Sequence, residues 1–459
     1  MYQIDFDRPV RIHFIGIGGI SMSGLAEVLL KKGFPVSGSD NRESDLTRKL
    51  EGAGAHIFYG QRAENITDDV DLVVYTAAIH PDNPEMEEVI RRGIPKLTRA
   101  ELLGQLMRNY EMPVAVSGTH GKTTTTSMIS MILMEAGKDP TVSVGGMLKE
   151  IGGNIRVGST GYFVTEACEY TNSFLSFFPR IGIILNIEED HLDFFKDLDD
   201  ICDSFRKFAQ LIGPDGVLII NRDIPSYDKI TEGLTCSVVS FSLHDKGADY
   251  TADDITYDEM GAASFSAVYN GKKRTFSLRV PGEHNVANAL ASIALADVLG
   301  IGDPAIEDGL RRFGGTDRRF QLKGKLGGIT IVDDYAHHPT EISATLKACA
   351  QYPKERVVCV FQPHTYTRTK AFFHDFAKAL SLADVVVLAD IYAARETDDL
   401  GISSGDLMEE IQRLGTECHY FPSFDEIENF LLQNCMHGDL LITMGAGDIV
   451  KVGEKLLGQ

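Results

Sequence analysis

The apolar run Val114-Ala115-Val116-Ser117 leads into Gly118-Thr119-His120-Gly121-Lys122-Thr123-Thr124 and then into a helix-forming stretch. A glycine loop that opens a helix turns backbone N–H groups and the positive end of the helix toward phosphate oxygens. Lys122 is placed to reach terminal phosphates, and the Thr123 hydroxyl to ligate the Mg²⁺ that accompanies them. The usual pattern G-x-x-x-x-G-K-[ST] would put its first glycine at position 116, where this chain has Val116, so the loop is a variant form with its glycine at Gly118. Gly-Lys-Thr alone would also fit an ordinary strand-to-helix turn with an exposed lysine. Strand, two glycines, Lys-Thr and helix occurring together point to a nucleoside triphosphate.

Further reactive side chains stand where strands are expected to end, which is where open α/β sheets gather their ligands. Glu166 follows the run 161–165, and His191 lies in Asn186-Ile187-Glu188-Glu189-Asp190-His191-Leu192-Asp193. Both could converge on the phosphates; a carboxylate suits Mg²⁺ directly, a histidine less usually. The blander readings are a surface carboxylate and a loop histidine. Asp333-Asp334-Tyr335-Ala336-His337-His338-Pro339 carries paired histidines, but no third ligand at metal spacing, and these residues could equally cap the helix that follows. Phe361-Gln362-Pro363-His364-Thr365-Tyr366-Thr367-Arg368 brings an arginine suited to two-pronged capture of a carboxylate or phosphate. A second glycine loop, Gly16-Ile17-Gly18-Gly19-Ile20-Ser21, follows Val10–Ile15, with Asp40 at a distance suited to a ribose or base contact. Ser21 stands at the sixth place of G-x-G-x-x-G, which weakens a dinucleotide reading but keeps a pyrophosphate-binding turn. A tight turn without ligand is the alternative.

The elements that must carry these groups fall into three α/β units. Strands at 10–15, 34–39, 56–58 and 71–76 alternate with helical stretches as in a Rossmann-like parallel sheet, closing at the polar, proline-ended segment 108–113. The second unit runs from the phosphate loop through strands near 161–165, 181–186 and 216–221. Residues 237–242 and 265–273 alternate and turn like antiparallel hairpins. Pro281-Gly282-Glu283-His284-Asn285 then opens an alanine-rich helix. The third unit, with strands near 329–334, 356–361, 385–390 and 439–444, reads as another doubly wound sheet. The expected domains are 1–110, 111–321 and 322–459.

Composition limits the rest. A chain of 459 residues has room for about three domains. Sixty-six acidic against 44 basic side chains leave a net charge of −22, which repels nucleic acid and anionic membranes, so an anionic ligand must be held by local features. Seven scattered cysteines without a C-x-x-C pair argue against a disulfide framework and a zinc site. No signal-like N-terminus and no apolar run of roughly 18 residues is present. A cytoplasmic protein without nucleic-acid or membrane partners is expected, monomeric or homodimeric.

The order of motifs resembles the Mur ligases. It is carried by Gly118 to Thr124, the Glu166 segment, Asn186…His191-Leu192-Asp193, Gly282-Glu283-His284-Asn285-Val286-Ala287-Asn288, Asp317-Arg318-Arg319-Phe320 and Asp334 to Pro339. The opening Gly16 to Ala26, with Thr76-Ala77-Ala78-Ile79-His80-Pro81 and Phe361-Gln362-Pro363-His364, narrows it to the branch that joins L-alanine to UDP-N-acetylmuramate. The resemblance implies a three-domain, ATP-dependent amide ligase of peptidoglycan synthesis working through an acyl phosphate. It implies UDP-N-acetylmuramate at Gly16, Gly18, Gly19, Asp40 and His80. ATP would sit at Gly118, Thr119, His120, Gly121, Lys122, Thr123 and Thr124, with His284, Asn285 and Asn288 near the adenine and Arg319 and Asp334 approaching from the domain junction. Mg²⁺ would be held by Thr123, Glu166 and His191. The amino acid would be placed by His337, His364 and Arg368, with Lys122, Glu166, His191, His338 and Arg368 as the catalytic set. Some family members carry arginine where this chain has Thr365. Competing readings are a ligase adding a preformed tripeptide to the same UDP-sugar, a non-catalytic regulator binding ATP and a UDP-sugar, and a nicotinamide dehydrogenase fused to an ATPase.

Overall fold

The computed structural model describes residues 2–76, 78–394 and 396–459; Ala77 of the motif quoted above lies outside the described residues. Three sheets follow one another along the chain. In the first, the strands His56–Tyr59, Val36–Asp40, Ile12–Ile15, Leu72–Tyr75 and Lys96–Thr98 lie side by side in that order, all parallel. Their run Ile-His-Phe-Ile is buried along its whole length, as a strand covered by helices on both faces must be. The order reverses on either side of Ile12–Ile15, so the glycine loop that follows this strand sits at the switch point where ligands bind such sheets.

The middle sheet has ten strands. Met112–Ser117 lies between Ile181–Ile184 and Tyr162–Ala167, parallel to both, which brings the phosphate loop, Asn186 and Glu166 to one end. The expectation for Ser237–Ser242 is corrected: it pairs parallel with Val217–Asn221 and with Tyr250–Tyr257, and antiparallel pairing begins only with the next strand, Ala262–Tyr269. Alternation shows that a strand has one solvated face, not which way its neighbour runs. The turn Asn270-Gly271, with φ of 49° and 72°, then closes a hairpin to Lys272–Pro281. A further hairpin, Thr141–Leu148 with Gly153–Arg156, was not foreseen from the sequence. It packs against the helix Ile20–Lys31, where a Cβ on Gly24 would stand 3.0 Å from Ile155 Cδ1, and so links the first two units.

The last sheet orders Gln321–Leu326, Ile329–Asp334, Asp439–Met444, Arg356–Phe361, Val385–Leu388 and Glu417–Tyr420; only its first strand is antiparallel. The fold is α/β in three domains, Rossmann-like at both ends with a mixed P-loop sheet between them. Among the described residues no helix is long and apolar enough to cross a membrane.

Candidate active site

The phosphate loop is held open by one side chain. Asn186, at the end of the neighbouring strand, accepts the His120 N–H at 2.7 Å and donates to the His120 carbonyl at 3.1 Å, while its own carbonyl accepts from Thr119. Gly121 lies at φ 83°, and a Cβ there would stand 2.6 Å from Asn288 Oδ1, so only glycine lets the loop run against the helix Glu283–Val298. Lys122 opens the helix Lys122–Glu135 with its ammonium turned back over the loop, donating to the carbonyls of Gly118 and Thr119 and lying 3.0 Å from Glu169 Oε2. Burial works to lower its proton affinity, but the Glu169 carboxylate outweighs it, and the lysine stays charged. Thr119 and Thr123 are buried; Thr124 lines the cavity described below.

Thr123, Glu166 and His191 stand on three different segments. The methyl of Thr123 lies against Gly146, and Glu166 accepts the N–H of the adjacent Gly145. His191, at φ 54°, stacks on Tyr170 with ring centres 4.5 Å apart, its Nε2 4.0 Å from Glu169 Oε1. Burial lowers its pKa, leaving a neutral imidazole with a lone pair. The hydroxyl and the carboxylate are oxygen donors of the kind a hard divalent cation takes, and the neutral imidazole is the less usual third. Among the described residues a different trio, His120, Glu188 and His338, has its ligand atoms within 4.8 Å of one another. Glu188 Oε2 already accepts from Thr340, and both His338 nitrogens are engaged. The His120 ring lies 3.1 Å from Glu341 and 3.5 Å from Glu188; burial opposes its charge, yet the two carboxylates raise its pKa to about 9, making it an imidazolium without a lone pair.

Behind the loop a cavity of about 580 Å³ runs toward the domain junction, within the range of small-molecule sites. Leu185, Phe241, Val280 and Phe313 give it apolar walls; Asn285 and Asn288, hydrogen-bonded to each other at 3.1 Å, give it polar edges. His284 lines the same wall, its pKa pushed down to about 4 by burial. Arg319 and Asp334 reach the cavity from the third domain's side. Burial raises Asp334 to about 6, against the pull of Arg319 and of the N–H groups of Ala336 and Phe320, which it accepts at 2.7 and 2.8 Å.

The third domain meets this site through a short acidic segment. Thr340 donates to Glu188; His338 Nε2 lies 3.0 Å from the carbonyl of Glu189; Arg368 donates Nε and an NH2 group to Asp190 at 3.0 and 2.8 Å. Burial would raise Asp190, but Arg368 and the histidines hold it well below the usual carboxylate range. His338 and Arg368 are both engaged here. His338 Nδ1 accepts from Thr340 N to cap the helix Pro339–Gln351, so Nε2 carries the proton given to Glu189, and no nitrogen is left for proton transfer in this conformation. Arg368 is not an open anchor: Asp190 already occupies its fork. The two imidazoles next to it are neutral, His337 and His364 both lowered to about 4 by burial. His337 Nδ1 lies 3.0 Å from the Tyr335 carbonyl and so donates there, leaving the Nε2 lone pair uncommitted. Thr365 sits at φ 66° and starts the helix Tyr366–Ala371.

At the first switch point the N–H groups of Gly16 and Ile17 both donate to the Ser39 carbonyl at 2.9 Å. Gly18 N donates to Asp40 Oδ2 at 2.9 Å, and a Cβ on Gly18 would meet that oxygen at 2.7 Å. Asp40 thus shapes the loop with the oxygen expected to face a ribose. Gly19 caps the helix Ile20–Lys31, and His80 stands exposed on the loop after Leu72–Tyr75. Sequence reasoning missed Glu169, Glu188, Asp190 and Glu341 as site residues. Glu188 and Asp190 lay inside the quoted segment 186–193, but their partners come from other elements, and nothing local marks such pairs.

Comparison with known proteins gives three domain matches in the same order: the Mur ligase family catalytic domain over residues 11–111, the Mur ligase middle domain over 116–296 and the Mur ligase glutamate ligase domain over 318–447. The chain is 60% identical to the UDP-N-acetylmuramate–L-alanine ligase of Lachnospira eligens and 59% to that of Agathobacter rectalis, over 458 residues and the full length of each. Among solved structures, the UDP-N-acetylmuramate–alanine ligase MurC of Thermotoga maritima matches with a TM-score of 0.80 at 32% identity, covering 98% of both chains. The murein peptide ligase of Psychrobacter arcticus matches at 0.70 with 26% identity and the same coverage.

Proposed function

The chain belongs to the Mur ligase family, and from that premise we propose that it joins L-alanine to UDP-N-acetylmuramate with cleavage of ATP, in the cytoplasm, as a step of peptidoglycan synthesis. The observation that carries this reading is full-length identity of 59–60% to ligases of that name. Two glycine loops at two strand ends fit it, since the reaction needs two phosphorylated ligands.

A carboxylate and an amine at neutral pH form a salt, so the carboxylate oxygen must first become part of a leaving group. The muramoyl carboxylate attacks the γ-phosphorus of ATP, giving an acyl phosphate and ADP; the amine of L-alanine then attacks the acyl carbon, and phosphate leaves from the tetrahedral intermediate. In this scheme the loop 118–124 cradles the phosphates and the Lys122 ammonium moves from Glu169 toward the transferring phosphoryl group. The adenine takes the apolar cavity beside Asn285, Asn288 and His284, with Arg319 and Asp334 at its mouth. Thr123, Glu166 and His191 would hold Mg²⁺, which when bound supplies positive charge to phosphoryl oxygens. Residues 1–110 bind the UDP-sugar through Gly16, Gly18, Gly19 and His80, residues 111–321 bind ATP, and residues 322–459 present the amino acid. There His337, whose Nε2 lone pair is uncommitted, takes the proton that the attacking amine loses. His364 and Arg368 line the same place, the L-alanine carboxylate competing with Asp190 for the guanidinium.

Phosphate release measured with UDP-N-acetylmuramate and ATP, adding L-alanine, glycine, L-serine or a tripeptide separately, tests the reading. L-Alanine-dependent release is expected; release with the tripeptide alone, or none at all, would overturn it.

A further inference from the structure

Glu85 is completely buried, although no step above uses it. It is the second residue of the helix Pro84–Arg92, which Asn83 caps by accepting from Glu85 N and Met86 N at 3.0 and 3.2 Å. Its Oε2 accepts from Ser39 Oγ at 2.6 Å, and its Oε1 accepts from Asn65 Nδ2 and stands 3.8 Å from His13 Nε2, a buried nitrogen without a hydrogen-bond partner among the described residues. A buried carboxylate is costlier than a buried apolar side chain, so what it contributes is orientation.

Each partner leads to the first glycine loop. His13 lies on the strand that runs into it. Ser39 gives its carbonyl to Gly16 and Ile17. Asn65 also donates to the Gly60 carbonyl at 2.9 Å, and Gly60 N donates to Asp40 O at 2.8 Å, while Asp40 holds Gly18. On its other side the same helix fixes the loop that bears His80, because Asn83 N donates to the His80 carbonyl at 3.1 Å. One carboxylate therefore ties two loops that approach from different strands. We propose that Glu85 is a positioning residue for the UDP-sugar, setting the His80 loop against Gly16–Gly19; this rests on the function proposed above.

Glu85→Gln keeps the shape but leaves one acceptor oxygen where the carboxylate offers two, one to Ser39 Oγ and one to Asn65 Nδ2. Steady-state kinetics for each substrate, with calorimetric binding of UDP-N-acetylmuramate alone, read the outcome. The KM and Kd for UDP-N-acetylmuramate should rise about tenfold, the scale of one misdirected charge-assisted hydrogen bond, while kcat and the KM for ATP and L-alanine stay within about twofold. Unchanged UDP-N-acetylmuramate constants would overturn the proposal, as would changes of similar size in kcat and in the KM for ATP and L-alanine. Should the glutamine variant not fold, Ser39→Ala removes a single donor; it should raise the same two constants about threefold, and no change there would equally overturn it. A parent protein that binds no UDP-N-acetylmuramate or forms no amide would instead sink the functional reading itself.

Discussion

The two glycine loops occupy equivalent places, each joining a buried parallel strand to a helix, yet their surroundings differ. The loop at Gly16–Gly19 is held by its own domain: the Ser39 carbonyl, the Asp40 carboxylate and the buried Glu85 behind them. Its helix, Ile20–Lys31, begins with no ionisable side chain. The loop at Gly118–Gly121 carries Lys122 and a charged His120, and the acids that face them, Glu169, Glu188 and Glu341, come from three other segments, one of them in the third domain. A loop that only binds can be finished within one domain. On the function proposed above, the loop where charge moves is finished by side chains from other segments, one of them in the third domain.

The contrast breaks most visibly at Lys122. Lys122→Ala should lower kcat by at least about 10²-fold, as expected for loss of one preorganised charge at the transferring group, and its melting temperature should fall because Glu169 is left buried without its counterion. The double variant Lys122→Met/Glu169→Gln should regain the melting temperature and not the activity; a double variant with activity restored would end the distinction drawn here. Glycine substitutions sharpen it next. Gly121→Ala, at φ 83° and against Asn288, should raise the KM for ATP by about tenfold or more, at the scale of 1–3 kcal/mol of strain. Gly18→Ala, against Asp40, should raise only that for UDP-N-acetylmuramate. If each variant affected both substrates equally, the loops would not be separate sites.

Asp190→Asn should have a milder effect, since the pair with Arg368 loosens without losing its hydrogen bonds. A change of about threefold to tenfold in the KM for L-alanine, with ATP binding unaltered, is the expected result from initial-rate kinetics. The smallest effect is on pH. His120 has a folded pKa of about 9, above its unfolded value of 6.5. The stability it contributes is therefore fully present below pH 6.5 and is lost as pH rises through 9. Melting temperatures of the ligand-free protein should decline over that window, and His120→Gln should flatten the decline.

Much of this was legible in the sequence because the two glycine loops and the strand-end motifs are local patterns whose order fixes the sheets they belong to. The direction of Ser237–Ser242 was not, since alternation is the same in parallel and antiparallel company. Nor was the hairpin Thr141–Leu148 with Gly153–Arg156, whose Gly145 and Gly146 weaken a strand signal while letting backbone approach Glu166 and Thr123. The engagement of His338 and Arg368 depended on Glu189 and Asp190, about 150 to 180 residues earlier in the chain, a separation at which sequence carries no sign of contact.

Glu188, Glu189 and Asp190 are consecutive, and each grips a different residue of the third domain. Immediately after them comes His191, beside the phosphate site. Three neighbouring grips on one short loop let go together, so a partly docked third domain would be a rare state. On the function proposed above, the consequence is protection against waste: without these contacts the loop bearing His191 would lose its external support, and ATP and the acyl phosphate should meet water less productively than they meet alanine once the contacts are made.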